Sequence, residues 1–155
     1  MKKIGVIGVG NPQMGDDGIG PVLIHRLNAF PLFSDTVCFI DGGTGGMTLV
    51  HELAKLYTAI IVDAGDFGGK PGEFRIFSPE ELVSVKQFSG FSVHEWDLIK
   101  TIEISKVMEE LPEHLHIMAI QPETIAWQSK LSKILESQIP VYEKAVWKLL
   151  KSATE

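Results

Sequence analysis

Asp16 and Asp17 follow the short apolar run Ile4–Val9, Asp41 follows Thr36–Ile40, Asp63 follows Ala59–Val62, and Gln121 and Glu123 follow Leu115–Ile120. Carboxylates collected in this way hold a cation, or take and give a proton. Two of them from different strands, with one imidazole, make an incomplete metal shell that leaves positions open to water or substrate. Asp17 and Asp63 supply such a pair. Phosphate binding is the competing chemistry, and the residues argue against it. Gly8-Val9-Gly10 begins a dinucleotide fingerprint, but position 13 is Gln and the next glycine is Gly15. Asp16 and Asp17 occupy the helix start where a pyrophosphate would sit, and would repel it. No Gly-Lys-Ser or Gly-Lys-Thr supplies a phosphate loop.

The runs that deliver these residues are short and apolar, as buried strands are. Between the first two, Ile19, Val22, Leu23 and Leu27 fall at helical spacing, with Pro21 in the first turn. Leu49, Val50 and Leu53 mark a second helix, for which Thr44 is the expected cap. Alternating strands and helices predict a parallel sheet with helices on its faces. Glu73–Phe77 alternates as an edge strand, with Glu73 and Arg75 toward solvent. Ser78-Pro79-Glu80-Glu81 and Ser92-Val93-His94-Glu95 are capping boxes, each opening a helix. From Leu131 an amphipathic helix carries Ile134, Leu135, Tyr142, Val146 and Leu150, with Pro140 expected to break or restart it. The fold class is α/β: a single three-layer domain over residues 1–155, a mostly parallel twisted sheet of about five strands with helices on both faces.

In such a sheet ligands bind outside the carboxyl ends of the strands, so the aspartates gather along one edge. Gly8, Gly10, Gly15, Gly18, Gly42, Gly43, Gly45, Gly46 and Gly65 cluster in the same loops, where glycine permits close backbone approach. Five histidines compete to complete a metal shell. His114 and His116 sit at the amino end of their strand, roughly 13 Å or more from the carboxyl edge. His25 and His51 lie well inside helices. His94 remains, in the first turn of a helix after a long excursion, and is the best candidate, although spacing alone does not bring it to the edge.

Composition narrows the class. The net charge is −6, without the basic stripe of a nucleic-acid binder. A single cysteine, Cys38, excludes an internal disulfide and a multi-cysteine metal site, and reads as core. No apolar run approaches the ~18 residues of a membrane span. The opening Met1–Gly8 meets Gly and Asn too soon to act as a signal peptide. The chain therefore reads as soluble, cytoplasmic and monomeric, with no nucleic-acid or membrane partner.

The set Gly8-Val9-Gly10-Asn11, Met14-Gly15-Asp16-Asp17-Gly18-Ile19-Gly20-Pro21, Asp41-Gly42-Gly43-Thr44, Val62-Asp63-Ala64, His94 and Ile120-Gln121-Pro122 resembles the hydrogenase maturation endopeptidases. The resemblance runs nearly end to end, through Pro71-Gly72-Glu73 and the final helix. It implies an aspartyl-type endopeptidase that removes a C-terminal extension from the large-subunit precursor of a nickel–iron hydrogenase after nickel insertion. It further implies that Asp17, Asp63 and His94 form the metal-binding and catalytic triad. The metal is nickel carried by the substrate, or a divalent surrogate such as cadmium or zinc. Asp16, Asp41, Gly42, Thr44 and Gln121 then flank the triad or touch substrate, and Asp17 or Asp16 takes the proton from an attacking water. Many members have Glu at the position of Asp17. The Met14–Pro21 form and the stretch from Asp63 to Pro79 look closer to the branch that processes formate-hydrogenlyase-type hydrogenases. Ser92–Asp97 and Ala126-Trp127-Gln128 depart from the family pattern.

Plainer roles stand beside these. Asp17 can stabilise a helix start through its dipole, Asp63 can form a turn, and Asp41 can hold the Gly42–Gly46 loop. Trp96 and Trp147 read as packing, whereas Trp127 could line a substrate groove. Two other functions remain open to the sequence: a non-catalytic nickel-binding assembly factor, which would bind without cleaving, and a Rossmann-like small-ligand binder, which the Asp16–Asp17 pair disfavours.

Overall fold

The structure, a computed structural model, describes residues 2–30, 35–88 and 93–155, with the side chains of 85–88 and 93–97 outside that description. The elements are β1 (Ile4–Gly8), α1 (Ile19–Asn28), β2 (Val37–Asp41), α2 (Met47–Ala54), β3 (Thr58–Ala64), β4 (Phe74–Phe77), α3 (Pro79–Phe88), α4 (Val93–Val107), β5 (His114–Ile120) and α5 (Lys133–Thr154). The strands form one sheet in the order β2-β1-β3-β5-β4. All neighbours are parallel except β4, which pairs antiparallel with β5 at the edge. This is the α/β sheet expected from the sequence.

Both faces of the sheet are covered, so its central strands bury apolar residues on both sides. Ile60, Val62, Met118 and Ile120 face α1 and α5, meeting Leu23, Leu27, Leu135 and Tyr142. Ile61, Ile117 and Ala119 face the opposite way, toward Leu49 and Leu53 of α2, Leu82 of α3, and Leu98, Ile99 and Ile102 of α4. Each fully buried aliphatic side chain contributes about 1.5–3 kcal/mol, and the alternation locks register, because a one-residue slip would exchange the two faces.

Local signals account for most boundaries. The first capping box forms as expected: Glu81 N donates to Ser78 Oγ at 3.2 Å, and Ser78 N donates to Glu81 Oε1 at 3.0 Å. Those bonds to Ser78 hold the exposed Glu81 carboxyl below its usual pKa. Ser92 of the second box lies outside the described residues. Two expectations need correction. Thr44 does not cap α2; the residue before the helix is Gly46, at φ 74°, with no side-chain cap. That left-handed angle suits glycine and not threonine. Pro140 does not break α5, which runs through it. Proline removes one backbone donor, but Leu135, Ile139, Tyr142, Val146 and Leu150 bury a continuous stripe on either side of it. Ser132 caps this helix, accepting from Leu135 N at 3.4 Å, and Arg26 of α1 bridges to Glu143 of α5 at 3.2 Å.

Backbone approaches backbone closely under the carboxyl edge. A Cβ on Gly20 would stand 2.5 Å from the Val9 carbonyl oxygen and 2.6 Å from that of Val62. The absent side chain lets α1 start hard against the ends of β1 and β3. Backbone cannot swing aside as a side chain can, so Gly20→Ala is expected to lower stability by about 1–3 kcal/mol, read as a fall in the urea midpoint.

Candidate functional site

Beyond the carboxyl end of β1, Val9 N donates to Val62 O at 2.9 Å, carrying the pairing with β3 up to the residue before Asp63. Gly10 N donates to Gly43 O and Gly42 N to Gly8 O, each at 2.8 Å, which ties the first loop to the loop after β2. Gly10 sits at φ 143°, and a Cβ there would collide with the Asp17 carbonyl oxygen. The chain can therefore double back over itself and enter a 3-10 turn at Gly15–Gly18.

That turn carries both adjacent aspartates into the interior. Asp17 is fully buried and Asp63 is 1% exposed. Asn11 N donates to Asp17 Oδ2 at 2.8 Å. The turn packs against β3, the strand that carries Asp63 near its carboxyl end. The two carboxylates that the sequence pairs thus come from neighbouring structural units at one edge of the sheet.

Asp16, equally buried, has different work. Its Oδ2 accepts from Glu123 N at 2.9 Å and Thr124 N at 3.0 Å, and its Oδ1 accepts from Ser132 N at 2.7 Å. Three backbone donors from the connection between β5 and α5 converge on one carboxylate. Such charge-assisted bonds are about twice as strong as neutral ones. Tyr142 lies within the field of this carboxylate and donates its hydroxyl to Gly72 O at 2.7 Å. Burial, then the Asp16 charge, pushes the phenol up to about 12.

The other candidates hold loops. Gln121 Oε1 accepts from Phe67 N at 3.0 Å and Gly69 N at 3.1 Å, and its Nε2 donates to Asp66 Oδ1 at 3.1 Å. Asp41 Oδ1 accepts from Gly43 N at 2.9 Å, the structural role open to it in the sequence. Gly42 is buried beneath Ile7 and Val9, whereas Thr44 is exposed in the turn before α2. Trp147 packs edge-on to Phe39, and Cys38 is half-buried against the core, its thiol pushed up by burial. Sequence reasoning missed Asn11, Ser132 and Tyr142. Asn11 reaches Asp17 through its backbone, a contact that leaves no mark on residue type, and Ser132 meets Asp16 across a separation of 116 residues.

His94 stands in the first turn of α4, and its side chain lies outside the described residues. α4 ends shortly before β5 begins at the amino edge, so its first turn is at the far end of the helix, toward the carboxyl edge. Among the described residues, no group of three His, Cys, Asp or Glu side chains is placed to hold a metal ion. No helix among them is long and apolar enough to cross a membrane.

A family model described as hydrogenase maturation protease matches residues 21–149. The chain belongs to the hydrogenase maturation protease family. That family is one of peptidases, in agreement with the class expected from the sequence. The hydrogenase 2 maturation protease of Escherichia coli K12 is 29% identical over 155 residues, covering 99% of this chain and 94% of that protein. The hydrogenase expression/formation protein HupD of Bradyrhizobium diazoefficiens is 30% identical over 141 residues, 88% of this chain and 72% of that one. Other relatives are longer: the chain spans 66% of the hydrogenase expression/formation protein HoxM of Cupriavidus necator. The solved hydrogenase maturating endopeptidase HybD from E. coli superposes with a TM-score of 0.88 at 28% identity, over 97% of this chain and 93% of that one. Identity with the E. coli hydrogenase 3 maturation protease is also 29%, so it does not separate the branches of the family.

Two outcomes follow for this family member. Asp16→Asn weakens the acceptors of three backbone donors and is expected to cost about 1–3 kcal/mol, measured by urea unfolding. The raised phenol means that the folded state holds the Tyr142 proton where the unfolded state has lost it. The stability this contributes is complete below the unfolded pKa of about 10 and is lost as pH rises toward about 12. Tyr142→Phe should flatten that alkaline decline in a thermal-melt series.

Proposed function

We propose that this chain removes the C-terminal extension of a nickel–iron hydrogenase large-subunit precursor once nickel is in place, acting as a monomer that recruits its substrate transiently. The observation that carries the reading is the pair of buried carboxylates, Asp17 and Asp63, at the carboxyl edge of a sheet shared with the solved maturating endopeptidase. Two carboxylates on adjoining elements attract a cation together more strongly than either does alone, and the substrate supplies one. The donor chemistry suits such an ion: two carboxylate oxygens, with the His94 imidazole as third ligand, fit a divalent transition metal. His94 completes the set from α4, whose first turn lies toward the same edge.

In this scheme nickel enters as part of the substrate and fixes the scissile bond beside the aspartates. A cation near the carbonyl oxygen favours attack by water. Asp17 accepts the proton of that water as its oxygen bonds to the carbonyl carbon, and the proton passes to the leaving amide nitrogen as the C–N bond breaks. Asp17 is preferred over Asp16 because three N–H donors already occupy both oxygens of Asp16. Asp63 and His94 orient the ion, while Asp41, Gly42 and Thr44 border the entry.

The test is the intact mass of nickel-loaded precursor after incubation with the purified chain. C-terminal shortening is expected, and nickel-free precursor should stay whole. Asp17→Asn should slow processing about 100-fold or more at an unchanged urea midpoint, since the amide oxygen can still accept from Asn11 N. Full-length precursor for every hydrogenase of the host would overturn the assignment.

A further inference from the structure

Trp127 is 77% exposed, and Ile125, two residues before it, is 40% exposed. Together the two side chains give the segment an exposed apolar surface. The segment that carries it is held firmly. Asp16 N donates to Thr124 O at 2.9 Å, Gly15 N to Gln128 O at 2.8 Å, and Gln128 N to Gln13 O at 3.0 Å. Glu123 N and Thr124 N both donate to the Asp16 carboxylate. Met14 and Gln128 form a parallel bridge. Positions 124 and 128 are thus each bonded to residues 13–16, and Trp127 rides between them on a loop ordered in advance.

We propose that the 123–130 loop is a docking platform for the precursor polypeptide, with Trp127 setting affinity by packing on an apolar side chain close to the cleavage point. The inference rests on the proposed function for its partner. Its argument is continuity with the site: the 3-10 turn that carries Asp17 is bonded to this loop through Gly15 and Asp16, so the loop borders the turn at which the scissile bond is proposed to sit. Ordering the loop beforehand lowers the entropic cost of binding, and tryptophan is among the side chains enriched where binding energy concentrates. A buried carboxylate that holds the loop and an exposed indole that tops it are then two parts of one device.

Calorimetric titration of nickel-loaded precursor into the full chain tests this without requiring cleavage. Trp127→Ala should raise Kd about tenfold or more, Trp127→Phe should recover most of the loss, and the thermal midpoint should not move. Equal Kd for wild type and Trp127→Ala, or no binding by the wild type, overturns the docking role. Tight, Trp127-dependent binding without shortening of the precursor would sustain the platform and overturn the peptidase reading instead.

Discussion

The carboxylate of Asp16 receives three backbone N–H groups from a connection more than a hundred residues further along the chain, and the carboxyl edge depends on that junction. The segment between β5 and α5 has no strand or helix of its own to hold it. Its donors would otherwise need water, which the buried carboxylate does not see. By satisfying them, Asp16 fixes the start of α5 through Ser132, sets the loop bearing Trp127, and holds the 3-10 turn in the position from which Asp17 faces inward. Tyr142 and the Gly72 carbonyl close the same corner from the other side. An acid with both oxygens so engaged is poorly suited to moving protons, and is therefore free to be structural.

Adjacent aspartates can divide labour because a 3-10 helix turns each successive residue by about 120°. One side chain of the pair points toward the late loop, the other toward Asn11 and β3. The repetition Asp16-Asp17, which in sequence looks like a single acidic feature repelling phosphate, is in three dimensions two buried carboxylates with different partners. Glycine makes the arrangement possible at two points: Gly10, where a side chain would strike Asp17, and Gly20, where it would strike the sheet.

Much of the fold was legible because its determinants are local. Short apolar runs located β1, β2 and β3, the last two ended by aspartate, the alternation of Phe74–Phe77 located the edge strand, and Ser78 with Glu81 located the start of α3. The collection of Asp17 and Asp63 at one edge followed from the parallel topology. What stayed hidden depends on distant partners or on backbone. Nothing near Asp16 signals Ser132, and nothing near Gln121 signals that it serves the Phe67–Gly69 turn. Pro140 misled because a local rule about proline was outweighed by a buried stripe longer than the interruption, and Thr44 because the chain needed a left-handed residue at Gly46 before the helix could begin.

As proposed, Asp17, Asp63 and His94 together form a cation-accepting centre from which Asp16 is excluded. Crystals of the chain grown with cadmium and examined by anomalous scattering test it directly. One peak is expected, within about 2.0–2.4 Å of carboxylate oxygens from Asp17 and Asp63 and of an imidazole nitrogen from His94. Ligand side chains more than ~5 Å from any such peak, far outside bonding distance, or an ion held by Asp16 instead, would contradict it.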